Sequence, residues 1–399
     1  MKLIEGIRVL SFNHFLMGPM GVQHLADLGA DVIAVEPPSG AFQRHWSGGN
    51  VWVDKESMLL WCTNRNKRSL AVDLKRVEGR EIVLRLVEIC DVVAENFRPG
   101  VMEKLGLGFE ELKRIKPDLI YASGSGFGHD GPYAARTGQD LILQAFSGLA
   151  AINGQAPDGA SPVGVTAVDH HGAALLAMGI LAALLNRQRT GEGMRVDVSL
   201  LGSAIDLQAE SYTCYLNGKS MGSLRRQGDS GSWYQPGPYG IYKCKDGAIA
   251  ISNCRVSDLA EALRCPALAS IPDSESFQRQ EEICSIVSKQ IAASPVAALL
   301  SVLEQHQIWH ARVHSYDEVV EDVQVKHNGH FLTVSNARGT PFTIVTHPIR
   351  YNGMTPSVHF VPQHLGAQTT QILQELGYSA AEITKLESLA IVKSKEEGQ

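Results

Sequence analysis

The chain predicts an α/β fold, with a Rossmann-like large domain built on a parallel sheet and a smaller α+β domain after it. Three observations lead there. Short β-rich runs alternate with amphipathic helical stretches through the first third of the sequence. Near residue 220 the composition turns abruptly to Gly, Ser and Pro, which marks a long loop between domains. The run from Gly172 to Leu185 is apolar and uncharged, too short by itself to cross a bilayer, and reads as a helix buried in a globular core.

The elements follow in order. "IRVLSF" reads as a strand, "GPMGVQHLADLG" as a helix with Pro19 near its start and Gly29 just past its end, and "ADVIAVE" as a second strand. "SLAVDLK", "EGREIVLRLVEIC", "DVVAENF", "FEELKRIK" and "DLIYASGSG" continue the alternation, as expected of a parallel sheet covered on both faces. Residues 1–200 are therefore assigned to the large domain, 201–224 to a linker and 225–334 to the small domain. "GIYKCKDGAIAIS" has the form of a hairpin, and the sequence after it is mostly helical. The tail "TQILQELGYSAAEITKLESLAIV" contains two helical segments before a charged, fraying end.

The formal charge of −6 argues against a nonspecific nucleic-acid partner. Seven widely spaced cysteines contain no CxxC pair, which suits a reducing compartment and argues against zinc or a redox dithiol. "MKLIEGIRVLSF" makes a poor secretory signal. The expectation is a cytoplasmic protein with no membrane span.

Several motifs bear on chemistry. Gly126, Gly128 and Gly131 match G-x-G-x-x-G, but Pro132 follows at once and the loop lies after a late strand, so dinucleotide binding is not expected. His310 and His314 have the i, i+4 spacing of a helical metal pair without a third ligand, so no metal is assigned. Arg65, Lys67, Arg68, Lys75 and Arg76 form a basic cluster, read either as a phosphate grip or as a solvated edge. Asp169 stands with two histidines at the mouth of the apolar run. As an N-cap it would accept helix N–H bonds, and the same bonds would keep it ionised as a nucleophile.

In order and spacing, "GPMGVQHLADLGADVIAVEPP", "NRNKRSLAVDLK", "ENFRPGVMEKLGLGFEEL", "KPDLIYASGSGFGHDGPYAARTGQD", "AVDHHGAALLAMGILAALL", "RTGEGMRVDVSLL" and "LGYSAAEI" resemble the family III CoA-transferases, the group of the formyl-CoA and carnitine CoA-transferases. The resemblance spans nearly the whole chain. It implies that Asp169 attacks an acyl-CoA thioester, forming an aspartyl anhydride and then an aspartyl-CoA thioester. It places CoA contacts on Leu16, Met17, Val72, Lys75, Asn96, Phe97, Arg98, Lys104, Arg136, Thr137 and Gly138. CoA is then a substrate, and no tightly bound cofactor is implied. It also implies an interlocked homodimer whose large domain is completed by residues 335–399.

The related α-methylacyl-CoA racemases need a histidine where Gln139 stands, and an amide cannot exchange a proton. A CoA-ester-binding protein without activity is the non-enzymatic alternative. Leu16 replaces a glutamine and "GDSG" replaces a glycine run of the formyl-CoA transferases, which points away from oxalate and formate. "LGAQT" and "ARVHS" replace the usual "LGEHT" and "GPVNS", and bear on acceptor choice. The loop 222–237 is read as a lid, with Arg225 and Arg226 clamping a carboxylate and Trp233 and Tyr234 excluding water. That reading favours a small dicarboxylate such as succinate or itaconate.

Overall fold

A computed structural model describes residues 2–154, 159–218 and 228–394. The chain divides into two compact units, residues 1–143 with 166–207 and 326–399, and residues 144–165 with 208–325.

The larger unit is built on a seven-stranded sheet. In spatial order its strands are Val392–Lys393, Lys67–Val72, Asp31–Glu36, Arg8–Phe12, Val92–Glu95, Ile120–Ser125 and Arg195–Ser199. All pairs are parallel except the edge pair, where Val392 faces Val72 and Lys393 faces Ala71 in antiparallel register. Apart from that edge strand, the order is 3-2-1-4-5-6 in chain sequence, the doubly wound arrangement.

Alternate residues of each strand enter two different cores. Leu10, Phe12, Ile33, Leu70 and Val93 meet Ile82, Val83 and Leu86 of the helix Val77–Glu88, joined by Ile372, Leu373 and Ile383 from the C-terminal helices. Val9, Val32, Val92 and Ile120 meet Val22 and Leu25 of the helix Met17–Asp27, and Leu176 and Ile180 of the long helix Ala167–Thr190. Burial on both faces is why these strands read as near-continuous apolar runs.

The smaller unit carries the expected hairpin, Gly240–Cys244 with Gly247–Ile251, extended by His310–Arg312 into a three-stranded antiparallel sheet. Tyr242, Ile249 and Ile251 pack there against Leu259, Ile283, Val287 and Leu303.

The units do not follow the boundaries read from the sequence. The segment assigned as a linker holds two helices, Leu200–Asp206 and Ala209–Gly218. Residues 144–165 join the smaller unit, in which Tyr212 Oη donates to the Ser147 carbonyl at 2.6 Å. The large unit resumes at Lys326 rather than 335, because Phe331–Ser335 pairs with Pro341–Val345 and the Phe342 ring stacks on Trp61 at 3.6 Å. The apolar run is also longer than its uncharged core. At 24 residues the helix Ala167–Thr190 is long and apolar enough to cross a membrane by length and composition. Its Gly172, Ala173, Leu176, Ala177 and Ile180 are buried, as in the core helix of a globular domain.

Candidate active site

The sheet reverses its winding between Arg8–Phe12 and Val92–Glu95, and in such sheets ligands bind in the crevice beyond the C-terminal ends of the two strands. Here the two loops are tied together. The Asn96 side chain accepts from the His14 N–H and donates to the His14 carbonyl, each at 2.8 Å. The next helix begins hard against this pair, since a Cβ on Gly18 would lie 2.9 Å from the Asn96 Cγ. Glu95 is buried, which pushes its carboxyl up to about 7. Its Oε2 accepts the Phe97 N–H at 2.9 Å, and Ser123 donates to its other oxygen. Phe97 and Arg98 leave the sheet from that fixed point.

The helices Met17–Asp27 and Ala167–Thr190 pack closely through small residues. A Cβ on Gly21 would stand 2.9 Å from Leu176 Cδ2, and one on Gly172 would stand 3.2 Å from Met17 Sδ. This contact brings the start of the long helix to the first loop, and with it Asp169.

Asp169 is not the N-cap. Thr166 holds that position without a side-chain cap bond, and Asp169 lies within the first turn. The helix N–H groups are capped from elsewhere: Asp140 Oδ1 accepts from Val168 N at 2.8 Å and Asp169 N at 3.0 Å. The electrostatic consequence is opposite to the N-cap reading. Burial, then the charge of Asp140, pushes the Asp169 carboxyl up from the usual aspartate range to about 7. Asp140 is the residue that sequence reasoning missed. Its signal was present in "TGQD", but the partner lies 28 positions away.

A pocket of about 740 Å³ opens at the crevice. It is lined by Asp169 together with Leu16, Met17, Asn96, Phe97, Arg98, Arg136, Thr137, Gly138 and Gln139. Gly126 serves this assembly by close packing, since a Cβ there would stand 2.6 Å from Gly138 Cα. Val72 is fully buried in the sheet core and does not line the pocket. Lys75 and Lys104 are exposed and do not line the pocket. Arg225 and Arg226 lie outside the described residues. Trp233 is buried, and its Nε1 donates to Ser211 Oγ within the smaller unit at 3.0 Å.

The basic cluster is neither a phosphate grip nor a solvated edge at its centre. Arg65 is buried and bonds both oxygens of Asp27. Lys67 is buried and donates to the carbonyls of Pro19 and Thr63 at 2.8 and 2.6 Å. Burial lowers its ammonium to about 7. Arg68 bonds Asp31 and Glu375. His310 lies in a strand rather than a helix, so the i, i+4 argument for "HARVH" does not apply.

A different trio, His24, Asp27 and His347, brings potential ligand atoms within 4.8 Å of one another. Both Asp27 oxygens already accept from the Arg65 guanidinium, a fixed cation where a metal would need the carboxylate.

Comparison with known proteins adds a family. A family model described as CoA-transferase family III matches residues 4–369. The chain is 35% identical to the succinyl-CoA:glutarate CoA-transferase of Mus musculus, over 99% of this chain and 92% of that one. It is 31% identical to a formyl-CoA:oxalate CoA-transferase of Escherichia coli, over 96% and 98% respectively. A CAIB/BAIF family protein from Brucella suis of known crystal structure superposes with a TM-score of 0.79 at 30% identity, covering 93% of this chain and 98% of that one.

Proposed function

The chain belongs to CoA-transferase family III, and on that premise we propose that Asp169 is the nucleophile through which it passes CoA from an acyl-CoA to a small dicarboxylic acid. The protein is a CoA-transferase, with acyl-CoA and a free carboxylic acid as substrates. In the proposed cycle the Asp169 carboxylate adds to the thioester carbonyl, the C–S bond breaks, and an acyl-aspartyl anhydride and CoA thiolate form. The thiolate adds to the aspartyl carbonyl and expels the donor carboxylate, leaving an aspartyl-CoA thioester. The acceptor carboxylate displaces the thiolate to give a second anhydride. The thiolate then takes the acceptor acyl group and frees Asp169, so no net proton is consumed. The covalent route divides one difficult exchange into easier steps.

The observation that carries this reading is a carboxyl pushed up to about 7 at a pocket that also holds Arg98 and Arg136. A carboxylate of raised basicity is the stronger nucleophile once ionised. The arginines suit CoA phosphates, and the exposed Lys75 and Lys104 offer two further cations for its nucleotide end. Gln139 lines the same pocket as an amide, which favours acyl transfer over α-proton exchange. The names of the mouse and Escherichia coli relatives include glutarate and oxalate, and this supports a dicarboxylic acceptor. The proposal extends to an interlocked homodimer, which would cover Met178 and Leu185, both more than half exposed on the long helix.

Incubation with a competent acyl-CoA is expected to add an acyl or CoA mass to the Asp169 peptide, removable by hydroxylamine. Asp169→Ala is expected to lower transfer by about 10⁴-fold or more. Native turnover in that variant would end the aspartyl mechanism. Rapid uptake of deuterium at the α-carbon, without acid-dependent CoA exchange, would favour the racemase chemistry instead.

A further inference from the structure

We infer that the acceptor acid carries an apolar body of ring size, held against a wall of the pocket formed by Phe15, Phe42 and Trp46. The inference rests on the CoA-transferase reading above and narrows its substrate class.

All three rings line the same pocket as Asp169. They form a continuous surface: the Phe15 and Phe42 centroids are 4.2 Å apart, and Phe42 stacks on Trp46 at 6.0 Å with an interplanar angle of 21°. His14 extends it inward, at 4.8 Å from Phe15 and stacked on Phe97 at 5.4 Å. Yet Phe15 and Phe42 are each 37% exposed and Trp46 is 49% exposed. Each leaves a third to a half of an aromatic side chain in water, so a ligand that covers them gains the apolar contact the fold leaves unused.

The wall is held in place rather than loosely displayed. Phe15 has a φ of +60°, a left-handed conformation unfavourable for a residue with a Cβ and characteristic of functional sites. Between Phe42 and Trp46, Arg44 makes a forked pair with Glu36, both bonds at 2.6 Å, and donates to the Gln363 carbonyl at 3.0 Å. Trp46 itself is tied through its carbonyl, which accepts from Ser57 Oγ at 2.5 Å.

The chemistry of the wall decides what it can receive. The pocket residues from this segment, Phe42, Trp46, Gly48, Met58, Leu59 and Cys62, carry no charge, while Arg98 and Arg136 come from the loops after the Val92–Glu95 and Ile120–Ser125 strands. Phosphates and carboxylates go to the arginines, and the rings are left for carbon. Formate and oxalate have no carbon to spare for them. A phenyl-substituted or comparably bulky acid does.

The test compares succinate with phenylsuccinate as acceptors from one acyl-CoA donor. Phenylsuccinate is expected to show the higher kcat/KM by at least about tenfold. Phe42→Ala and Trp46→Ala are each expected to lower the phenylsuccinate-to-succinate ratio by at least about tenfold, and Trp46→Phe to restore most of it. The ratio is independent of how much of a variant folds. Transfer to succinate with no preference for phenylsuccinate would overturn this inference and leave the function standing. An unchanged ratio with a raised KM for every acyl-CoA would assign the wall to CoA and also overturn it. If no carboxylic acid accepts CoA from any donor, the function falls and the inference falls with it.

Discussion

Asp27 and Asp169 sit on two helices that pack against each other, and their surroundings shift their carboxyls in opposite directions. Asp27 ends the first helix, in the core. Burial pushes its carboxyl up, but hydrogen bonds from His347 and Arg65 and the Arg65 charge outweigh it and hold the group low. Asp169 opens the long helix, and no ion pair reaches it among the described residues. Burial and the neighbouring Asp140 both act upward. One carboxylate is a permanently charged part of the scaffold. The other is kept near its titration point beside a pocket, which is a state suited to chemistry and costly for stability.

The comparison can be broken from the scaffold side first. Arg65→Leu strands a buried carboxylate, and urea unfolding is expected to show a loss of about 3–5 kcal/mol. Adding Asp27→Asn should recover much of that loss, and no recovery would mean that Arg65 acts through packing rather than charge.

Asp169→Asn should act in the other direction. A carboxyl raised in the folded state contributes stability that is complete below its unfolded value near 3.8 and is lost as pH rises through about 7. The native protein therefore loses stability across that window, whereas the asparagine variant does not. The variant's advantage should grow between pH 4 and 8, reaching on the order of a few kcal/mol, and then level off. Parallel stability curves for the two proteins would deny Asp169 its raised titration.

The smallest effect sharpens the contrast without disturbing the fold. Asp140→Asn keeps an oxygen to cap Val168 and Asp169 but removes the like charge. Because that charge raises the Asp169 carboxyl, the acid limb of kcat/KM, expected near 7 in the native enzyme, should move to lower pH. A limb that stayed in place would assign the whole shift to burial.

Much of the architecture was legible because strands buried on both faces must be apolar throughout. "RVLSF", "DVIAVE" and "DVVAENF" carry that constraint in the sequence itself. The basic cluster was not legible in the same way. Arg65, Lys67 and Arg68 look like solvent-facing charge until Asp27, Asp31 and Glu375 are brought beside the arginines and the Pro19 and Thr63 carbonyls beside the lysine. Unit boundaries failed for a related reason. The chain leaves the large unit after residue 143, returns at 166 and leaves again after 207, and local composition has no signal for a segment that is exchanged and then recovered.

The sequence by itself determined the alternation of strands and helices, the long helix and the presence of an aspartate at its start, because each depends on local periodicity or on residue types at short spacing. Only the tertiary structure decided what that aspartate is. The cap on its helix comes from Asp140, and its titration near neutrality from burial and from the Asp140 charge. Charge interactions fall off with distance through space and not along the chain, so groups far apart in sequence set the chemistry of a residue whose position was legible from its neighbours.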